Sequence, residues 1–456
     1  MKHSGLNRTE KKAAAALASI FGLRMLGLFL IMPVLAIYGQ QYPDYTPLLV
    51  GVAIGAYGLT QALLQIPMGI LSDRIGRRPI IITGLAIFAL GSVVAAMAET
   101  MQGVIIGRVI QGAGAIAGAV LALAADSARE DQRPKVMAAI GMGIGLSFVL
   151  ALIMGPVLGN IIGMSGLFWF TAVLAVGGIL LMWKGMPVTH QKVPSRDVLP
   201  VPAELGRLMK NTQLQRLNFG IFVLHVVLTA WFVTLPLQLV DAGLAAQHHS
   251  WLYLPTLLLS FVVMIPMMLI LLRKKQQVLG MRLAMLMLII SLSAIAVFSG
   301  QLWGLVVSVW LFFIGFNYLE ASFPALLTQH APAGSKGSAS GLFTTWQFSG
   351  AFVGGVAGGY LFQSFGAIGV MLFCISLLVC WLILSIGLLQ VSATTRLNIT
   401  TRILSPEEAR ELTQLLGEAN GVEEAIVIPD EGATYLKIKK DEYDAEAIKA
   451  VVARFQ

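Results

Sequence analysis

The chain has 456 residues, of which 57% are hydrophobic and only 12% are charged. A soluble protein needs charged residues at about 25% to cover its surface, so the composition excludes a soluble globular fold and indicates a surface that faces lipid. The net charge of +8 does not indicate nucleic-acid binding, because the Lys and Arg residues lie in short loops between apolar runs, where they set topology. Cys374 and Cys380 share one apolar run without metal-ligand or redox spacing, so neither a metal nor a cofactor is expected.

Twelve apolar segments are long enough to cross a bilayer, which takes about 20 mostly apolar residues. The first is too long for the apolar part of a signal peptide and is counted as a crossing. In chain order the segments are 13–38, 48–71, 79–98, 103–125, 135–162, 166–186, 217–241, 250–272, 279–299, 302–328, 338–363 and 367–390.

The basic residues of the connections lie on one side of these segments. The connections of the other side contain neither Lys nor Arg; they are 39–47, 99–102, 163–165, 242–249, 300–301 and 364–366. The positive-inside rule therefore predicts that both termini lie in the cytoplasm. The expected location is the cell inner (plasma) membrane, as a multi-pass protein.

The longest internal loop divides the segments into six and six. The predicted units are an N-terminal bundle at 1–186, a cytoplasmic linker at 187–216 and a C-terminal bundle at 217–390. Two such repeats are typical of transporters, which handle their substrate between the repeats near the midplane of the bilayer.

A soluble domain is predicted after a short linker at 391–399, because residues 400–456 are rich in Glu, Lys and Asp. The segment Ser405–Glu408 has a capping Ser, a Pro at the first helical position and acids in the first turn, which predicts a helix start. Alternating apolar residues on either side predict the order β-α-β-β-α, a small α+β ferredoxin-like sandwich.

Three motifs carry a resemblance to a known family. Gly69-Ile70-Leu71-Ser72-Asp73-Arg74-Ile75-Gly76-Arg77-Arg78-Pro79 follows the second segment, Arg108-Val109-Ile110-Gln111-Gly112-Ala113-Gly114 lies in the fourth, and Gly155-Pro156-Val157-Leu158-Gly159-Asn160 ends the fifth. The first resembles, at nearly every position, the cytoplasmic loop signature of the major facilitator superfamily. The third is similar to the antiporter motif of its drug:proton exchanger branch, although Ala151 and Asn160 stand where that branch usually has Gly.

The resemblance implies an all-α polytopic membrane protein with twelve transmembrane helices in two six-helix bundles, the major facilitator fold. It implies a transporter rather than an enzyme: a proton-coupled exporter of small molecules that works by alternating access. The expected partners are a small-molecule substrate, protons and the lipid bilayer, with no nucleic acid. No GxxxxGK[ST] motif is present in the sequence, so ATP is not expected to drive transport.

Two other functions stay open. The same fold serves uniporters and importers of metabolites, since fold does not determine function. The chain could also be a membrane sensor whose residues 400–456 bind a protein partner or self-associate. That domain contains no Cys, so binding of soft metals is not expected.

The loop motif is expected to act as a conformational latch. Asp73 is an anion suited to a helix N-terminus, and in the family that helix is the eleventh span, which here begins with Gly337 and Ser338. The resemblance pairs Arg77 with Asp126. These contacts would hold the bundles together at the cytoplasmic face and favour the periplasm-open state.

The remaining loop residues have simpler expected roles. Gly69 allows a close helix contact, and Gly76 allows the turn. Arg78 is expected to face lipid headgroups. The alternative for the whole motif is a loop that only sets topology by binding anionic headgroups.

Four ionisable residues lie deep in predicted spans: Arg24, Arg108, His225 and Glu320. Charges inside a membrane are costly and mark functional sites, and the family places these helices around a central cavity. His225 and Glu320 would both lie about 12 Å deep and could share a proton, with Glu320 the stronger carrier. The alternatives are a structural hydrogen bond between them, or a histidine that is satisfied by a backbone carbonyl. For Arg108 the resemblance implies a role in proton coupling, and snorkelling to the surface is the alternative.

The substrate cavity is expected to be lined by Arg24, Asn218, Asn317, Trp231 and Trp346. The two amides could equally be interhelical hydrogen-bonding groups, and the two indoles could be ordinary packing. Because the first span carries an Arg, an anionic or neutral substrate fits as well as a cationic one.

Overall fold

A computed structural model describes residues 5–129, 132–187, 201–390, 394–429, 432–439 and 443–455. Within these residues, ten helical stretches are long and apolar enough to cross a membrane, and one short helix, α7, lies in the linker. The helices are α1 (Arg8–Tyr38), α2 (Pro47–Ile75), α3 (Arg77–Ala96), α4 (Met101–Ala113), α5 (Ala117–Asp126), α6 (Arg133–Leu180), α7 (Pro202–Leu208), α8 (Thr212–Asp241), α9 (His249–Arg273), α10 (Gln277–Phe298), α11 (Leu302–His330) and α12 (Lys336–Leu384).

Two of the helices are about twice as long as one crossing requires. Helix α6 has 48 residues and α12 has 49, and each is interrupted by one glycine with positive φ, Gly163 at 67° and Gly366 at 65°. Glycine adopts this backbone region without the steric cost of a side chain. Each long helix therefore folds as two crossings, while α4 and α5 together form one, so the described helices make twelve crossings.

Polar side chains fix the helix starts. Asn7 and Glu10 form a reciprocal capping box at the start of α1, with both hydrogen bonds at 2.8 Å. Asp44, in the loop after α1, accepts the backbone N–H groups of Met101 at 2.7 Å and Gln102 at 3.2 Å. The bond from Met101 lowers the pKa of Asp44, because it stabilises the carboxylate at the start of α4.

Helices α1–α6 form the first bundle and α8–α12 the second. We call the membrane face that carries the α2–α3 turn the basic face, because Arg74, Arg77 and Arg78 lie there, and the other the opposite face. At the opposite face, the first half of α2 lies against α12. A Cβ on Gly55 would lie 2.7 Å from the carbonyl oxygen of Phe352, so the two backbones are in direct contact.

An apolar cluster joins the bundles at the opposite face. It contains Val34, Leu35, Val50 and Ile54 of the first bundle together with Val233, Leu237 and Phe362 of the second. Towards the basic face the bundles have largely separate cores, and Glu320, deep in α11, keeps 34% of its side chain exposed. The structure is therefore closed at the opposite face and open towards the basic face.

The C-terminal residues form a separate small domain. Its elements are β1 (Thr394–Thr400), α13 (Pro406–Gly417), β2 (Val422–Ile428), β3 (Ala433–Lys439) and α14 (Ala445–Val452). The sheet order is β1-β3-β2, with both pairs antiparallel. This is the predicted element order, but β1 lies mostly within the predicted linker 391–399. Residues 391–393 of that linker and 188–200 of the first one lie outside the described residues.

The sheet of this domain packs on the loop between α11 and α12. Ala333 donates its backbone N–H to Glu424 Oε2 at 2.8 Å, and Ala333 packs against Ile428 and Tyr435. The helices α13 and α14 cover the other face of the sheet. The domain is therefore docked on the segment that connects two transmembrane helices of the second bundle.

Candidate functional site

A polar cluster lies inside the second bundle, where α8, α11 and α12 meet. His225 Nε2 lies 3.4 Å from Glu320 Oε1 and 2.9 Å from Gln347 Nε2. The imidazole and the carboxylate are 13% and 34% exposed. Because the structure is open towards the basic face, this cluster lies at the inner end of that opening.

The contacts of the imidazole determine where protons can be held. His225 Nδ1 lies 3.1 Å from the carbonyl oxygen of Ile221, so Nδ1 carries a hydrogen that it donates to that oxygen. In a neutral imidazole, Nε2 then has only a lone pair, and a lone pair facing an ionised carboxylate is repulsive. The amide nitrogen of Gln347 only donates, so in this arrangement the Nε2 lone pair accepts one of its hydrogens. A proton on Glu320 removes the repulsion between that lone pair and the carboxylate. The pair therefore consists of two titratable groups whose contact depends on the protonation of Glu320.

The neighbouring amides and indoles differ from the predicted cavity lining. Asn317 Nδ2 donates to Ser260 Oγ at 3.0 Å, which joins α11 to α9, and Asn218 is 1% exposed. Trp231 is 0% exposed and stacks on Phe312 at 3.9 Å. In this state Trp231 does not line the opening, because its indole fills the core of the second bundle. A place for Trp231 at the cavity in another state stays a prediction. Trp346 is half-buried.

Aromatic rings from both bundles lie beside the cluster. Phe29 of α1 meets Phe148 of α6 at 5.2 Å between ring centroids, and Phe148 meets Phe316 of α11 at 6.2 Å. Phe316 lies 6.3 Å from the His225 ring. These rings supply an apolar wall that crosses from one bundle to the other, next to the titratable pair.

The two arginines of the first bundle are buried rather than lining an open cavity. Arg24 is 0% exposed, and its Nη2 donates to Gln61 Oε1 at 2.8 Å and to the carbonyl oxygen of Gly114 at 3.0 Å. Gly114 lies in the break between α4 and α5. The prediction of a cavity-lining Arg24 is therefore wrong for this state, in which Arg24 satisfies a carbonyl that the break leaves free.

Arg108 has a similar environment. It is 3% exposed, and it donates to the carbonyl oxygen of Ala53 at 3.1 Å and to Gln111 Oε1 at 3.0 Å. The guanidinium groups of Arg24 and Arg108 lie 5.7 and 5.2 Å from the centre of the Tyr57 ring. Arg24 also lies 5.6 Å from the centre of the Phe88 ring. Arg108 therefore does not snorkel, and both cations are held inside the bundle by amides, carbonyls and aromatic rings.

The loop motif forms a network at the basic face. Arg77 forms an ion pair with Asp73, and its Nε lies 3.3 Å from Asp126 Oδ2. Arg77 Nη1 also donates to Ser72 Oγ at 3.1 Å. Gly76 has a φ of 111°, which lets the chain turn directly from α2 into α3. The structure thus brings together Arg77 and Asp126, the pair that the resemblance implies.

The start of α12 has a different neighbour from the expected one. Ser338 Oγ accepts the backbone N–H of Val201 at 2.8 Å and donates to Glu204 Oε2 at 3.3 Å. Gly337 and Ser338 are both buried. In this structure the carboxylate beside Ser338 therefore belongs to Glu204 of the linker, and the contact of Asp73 with α12 stays a prediction for another state.

The remaining motif residues stabilise helix contacts. Arg78 Nη2 donates to the carbonyl oxygens of Met186, at 2.9 Å, and Pro187, and a contact of Arg78 with headgroups stays a prediction. A Cβ on Gly155 would lie 2.8 Å from the carbonyl oxygen of Leu30. The segment Gly155–Asn160 thus packs α6 on α1, with Pro156 inside α6 and Gly159 against Tyr38. In the loop motif, Ser72 Oγ donates a hydrogen bond to the carbonyl oxygen of Gly69 at 2.7 Å.

The comparisons with known proteins agree with this architecture. Residues 17–355 match the family model of the Major Facilitator Superfamily. The chain belongs to the Major Facilitator Superfamily. It is 39% identical over 435 residues, which are 94% of each chain, to the inner membrane transport protein YajR of Escherichia coli K12. It is 33% identical over 352 residues to an uncharacterized transporter of Buchnera aphidicola, which covers 76% of this chain and 90% of that one.

Solved structures show the same fold. The nucleoside transporter NupG superposes with a TM-score of 0.68 at 14% identity, over 82% of this chain and 99% of that one. The human organic anion transporter MFSD10 superposes with a TM-score of 0.62 at 18% identity, over 83% and 100%. The chain is therefore a multi-pass transporter of the superfamily and not an enzyme.

Sequence reasoning missed several residues of the site. Gln347, Gln61 and Tyr57 contact the titratable pair or the buried arginines, and Glu204 contacts α12. The amides could have been found, because a glutamine inside an apolar run needs a polar partner. Glu204 carries no such signal, since an acid in a polar linker is usually solvated.

Proposed function

We propose that the chain is a proton-coupled exporter of small molecules that works by alternating access in the cell inner membrane. The basic face would be cytoplasmic and the opposite face periplasmic, with both termini in the cytoplasm. The distribution of Lys and Arg supports this orientation, and the name of the Escherichia coli relative supports the membrane. The structure would then be the cytoplasm-open state.

The observation that carries the proposal is the contact between His225 Nε2 and Glu320 Oε1 at 3.4 Å, at the inner end of the opening. Substrate would enter from the cytoplasm and release the shared proton there. After the bundles rock, a proton from the periplasm would return to the pair as substrate leaves. Moving one charge through the membrane potential supplies about 2.3 kcal/mol per 100 mV, which is enough to drive export.

The arginines support coupling in a different way. Arg24 and Arg108 place two cations in the first bundle, with amides and carbonyls as partners. The role of Arg108 in proton coupling rests on the family resemblance. Two cations in the first bundle disfavour a cationic ligand, so the arginines favour a neutral or anionic substrate.

The loop motif would act as the latch of the periplasm-open state. In that state Asp73 would lie at the N-terminus of α12, beside Gly337 and Ser338, where the helix dipole stabilises an anion. Arg77 is already held by Asp126 and Ser72. It would orient Asp73 towards α12 as the bundles approach.

The C-terminal domain would regulate the transporter. Its split β-α-β order with a third antiparallel strand supports a ferredoxin-like fold. It docks through Glu424 and Tyr435 on the loop that joins α11, which carries Glu320, to α12, which carries Gln347. A protein partner or a second copy that displaced it would free that loop.

Purified protein in proteoliposomes with an imposed pH gradient tests the proposal. A panel of labelled neutral, anionic and cationic compounds is tested for transport. At least one compound should accumulate in the acidic compartment against its own concentration gradient. Its transport should stop when the pH gradient is collapsed. Substrate movement that is indifferent to the pH gradient would indicate a uniporter, and co-movement of substrate and protons would indicate an importer. Absence of transport for the whole panel would favour a sensor.

A further inference from the structure

The linker helix α7 lies against the first turn of α12. Val201, directly before α7, donates its N–H to Ser338 Oγ at 2.8 Å, and the hydroxyl donates to Glu204 Oε2 at 3.3 Å. Ser338 is 0% exposed and lies two residues after Lys336, where α12 begins. A carboxylate of the linker therefore lies at the positive end of the α12 dipole.

This position has room for one acid. The Ser338 hydroxyl has a single proton, which it can donate to one carboxylate at a time. Here that carboxylate is Glu204, while Asp73 forms an ion pair with Arg77. Two carboxylates at one helix N-terminus would also repel each other. Glu204 and Asp73 would therefore compete for the Ser338 hydroxyl at the α12 N-terminus.

We propose that Glu204 is a positioning residue that stabilises the cytoplasm-open state by taking the place at α12 that Asp73 takes in the periplasm-open state. The proposal rests on the latch role of Asp73 given above. Because α7 belongs to the linker between the bundles, its position depends on how they are arranged. The linker helix docks on α12 when the bundles part at the cytoplasmic face, and it yields when α2 brings Asp73 to the same site.

Distance measurements between the bundles test this exchange. The full-length protein, in lipid nanodiscs and with Cys380→Ser, carries spin labels at Lys11→Cys and Lys274→Cys, two exposed positions at the basic ends of α1 and α9. Pulsed electron–electron double resonance measures the distribution of distances between the labels. It gives the ratio of the population with the short, periplasm-open distance to the population with the long, cytoplasm-open distance. Glu204→Gln should raise that ratio about two- to tenfold, the size of a helix-dipole contribution. Asp73→Asn should lower it, and the double variant should lie between the two.

Two further variants control for other effects. Glu411→Gln removes an exposed acid from α13, far along the chain from the linker, and should leave the ratio unchanged. Ser338→Ala removes two hydrogen bonds from the cytoplasm-open state and at most one, to Asp73, from the periplasm-open state. It should therefore shift the ratio in the same direction as Glu204→Gln, but by less. An unchanged ratio in both Glu204→Gln and Ser338→Ala, or a shift in the direction of Asp73→Asn, overturns the proposal. A shift with Glu204→Gln but none with Asp73→Asn would contradict the Asp73 latch and, with it, the competition.

Discussion

His225 and Glu320 lie 3.4 Å apart on α8 and α11, and the same imidazole nitrogen lies 2.9 Å from the amide of Gln347 on α12. Three helices of one bundle thus meet at the pair that we propose as the proton carrier. The other side of the imidazole is fixed by the Ile221 carbonyl oxygen. A change in the protonation of this pair alters the attraction between α8 and α11, which gives a physical link between proton binding and helix packing.

Asp73→Asn is expected to shift the bundles towards the cytoplasm-open state while the protein remains folded. An anion at a helix N-terminus contributes about 0.3–2 kcal/mol, so the populations should change several-fold. The loss of the ion pair with Arg77 in the present state offsets little of this, since partly exposed ion pairs contribute about 0–1 kcal/mol. Labels at Lys11 and Lys274 report the change, and an unaltered distance distribution would rule out the latch.

Gly55→Val is expected to have the opposite effect by opening the periplasmic face. A Cβ at Gly55 would lie 2.7 Å from the backbone oxygen of Phe352, and backbone atoms cannot move aside as a side chain can. Labels at Glu99 and Gln301, exposed in the connections of the two bundles at the opposite face, should move apart.

Gly145→Val is the matched control for Gly55→Val. Gly145 also lies inside a helix, but a Cβ there would have no neighbour within 4 Å. Gly145→Val should leave the distance between labels at Glu99 and Gln301 unchanged. If both valines had the same effect, the cause would be helix propensity rather than the contact between α2 and α12.

Deletion of residues 394–456 is expected to leave a folded core that still transports. The C-terminal domain has its own apolar core under α13 and α14, and it contacts the membrane part at Ala333 and Gly334. Its removal frees the α11–α12 loop, so transport rate should change while the range of substrates stays the same.

Glu424→Gln gives a milder test of the same contact. It weakens the bond from the Ala333 N–H, because a carboxylate is the stronger acceptor, and should reproduce part of the change in rate. Loss of all transport in a truncated protein that is shown to be folded would mean that the domain is part of the transport mechanism itself.

The sequence predicts the membrane architecture well, because span length and the placement of Lys and Arg follow directly from the bilayer. The sequence also predicts that His225 lies near Glu320, and the family resemblance predicts that Arg77 pairs with Asp126. The structure has both contacts. Prediction from the sequence fails where side chains can turn to either face of a helix. Trp231 is in the core and Arg24 is satisfied by the Gly114 carbonyl, and neither outcome follows from the position of the residue along its span.

The sequence also does not predict which conformational state of the transporter the structure shows. The loop motif predicts a contact between Asp73 and α12, whereas the structure places Glu204 there. A motif describes contacts that form at some point in a cycle, and one sequence serves every state of that cycle. The linker acid lies in a polar segment, where nothing in the local pattern distinguishes a docked residue from a solvated one.

The most direct test of the proposed proton carrier is proton movement in proteoliposomes that hold a trapped pH indicator, comparing the wild-type protein with Glu320→Gln. Addition of a transported substrate should drive protons across the membrane with the wild-type protein, in the direction opposite to the substrate. Glu320→Gln should insert normally, bind substrate and move no protons, because an amide cannot carry the charge that about 2.3 kcal/mol per 100 mV would drive. Proton flux in Glu320→Gln at the wild-type rate would contradict the assignment of Glu320 as the carrier.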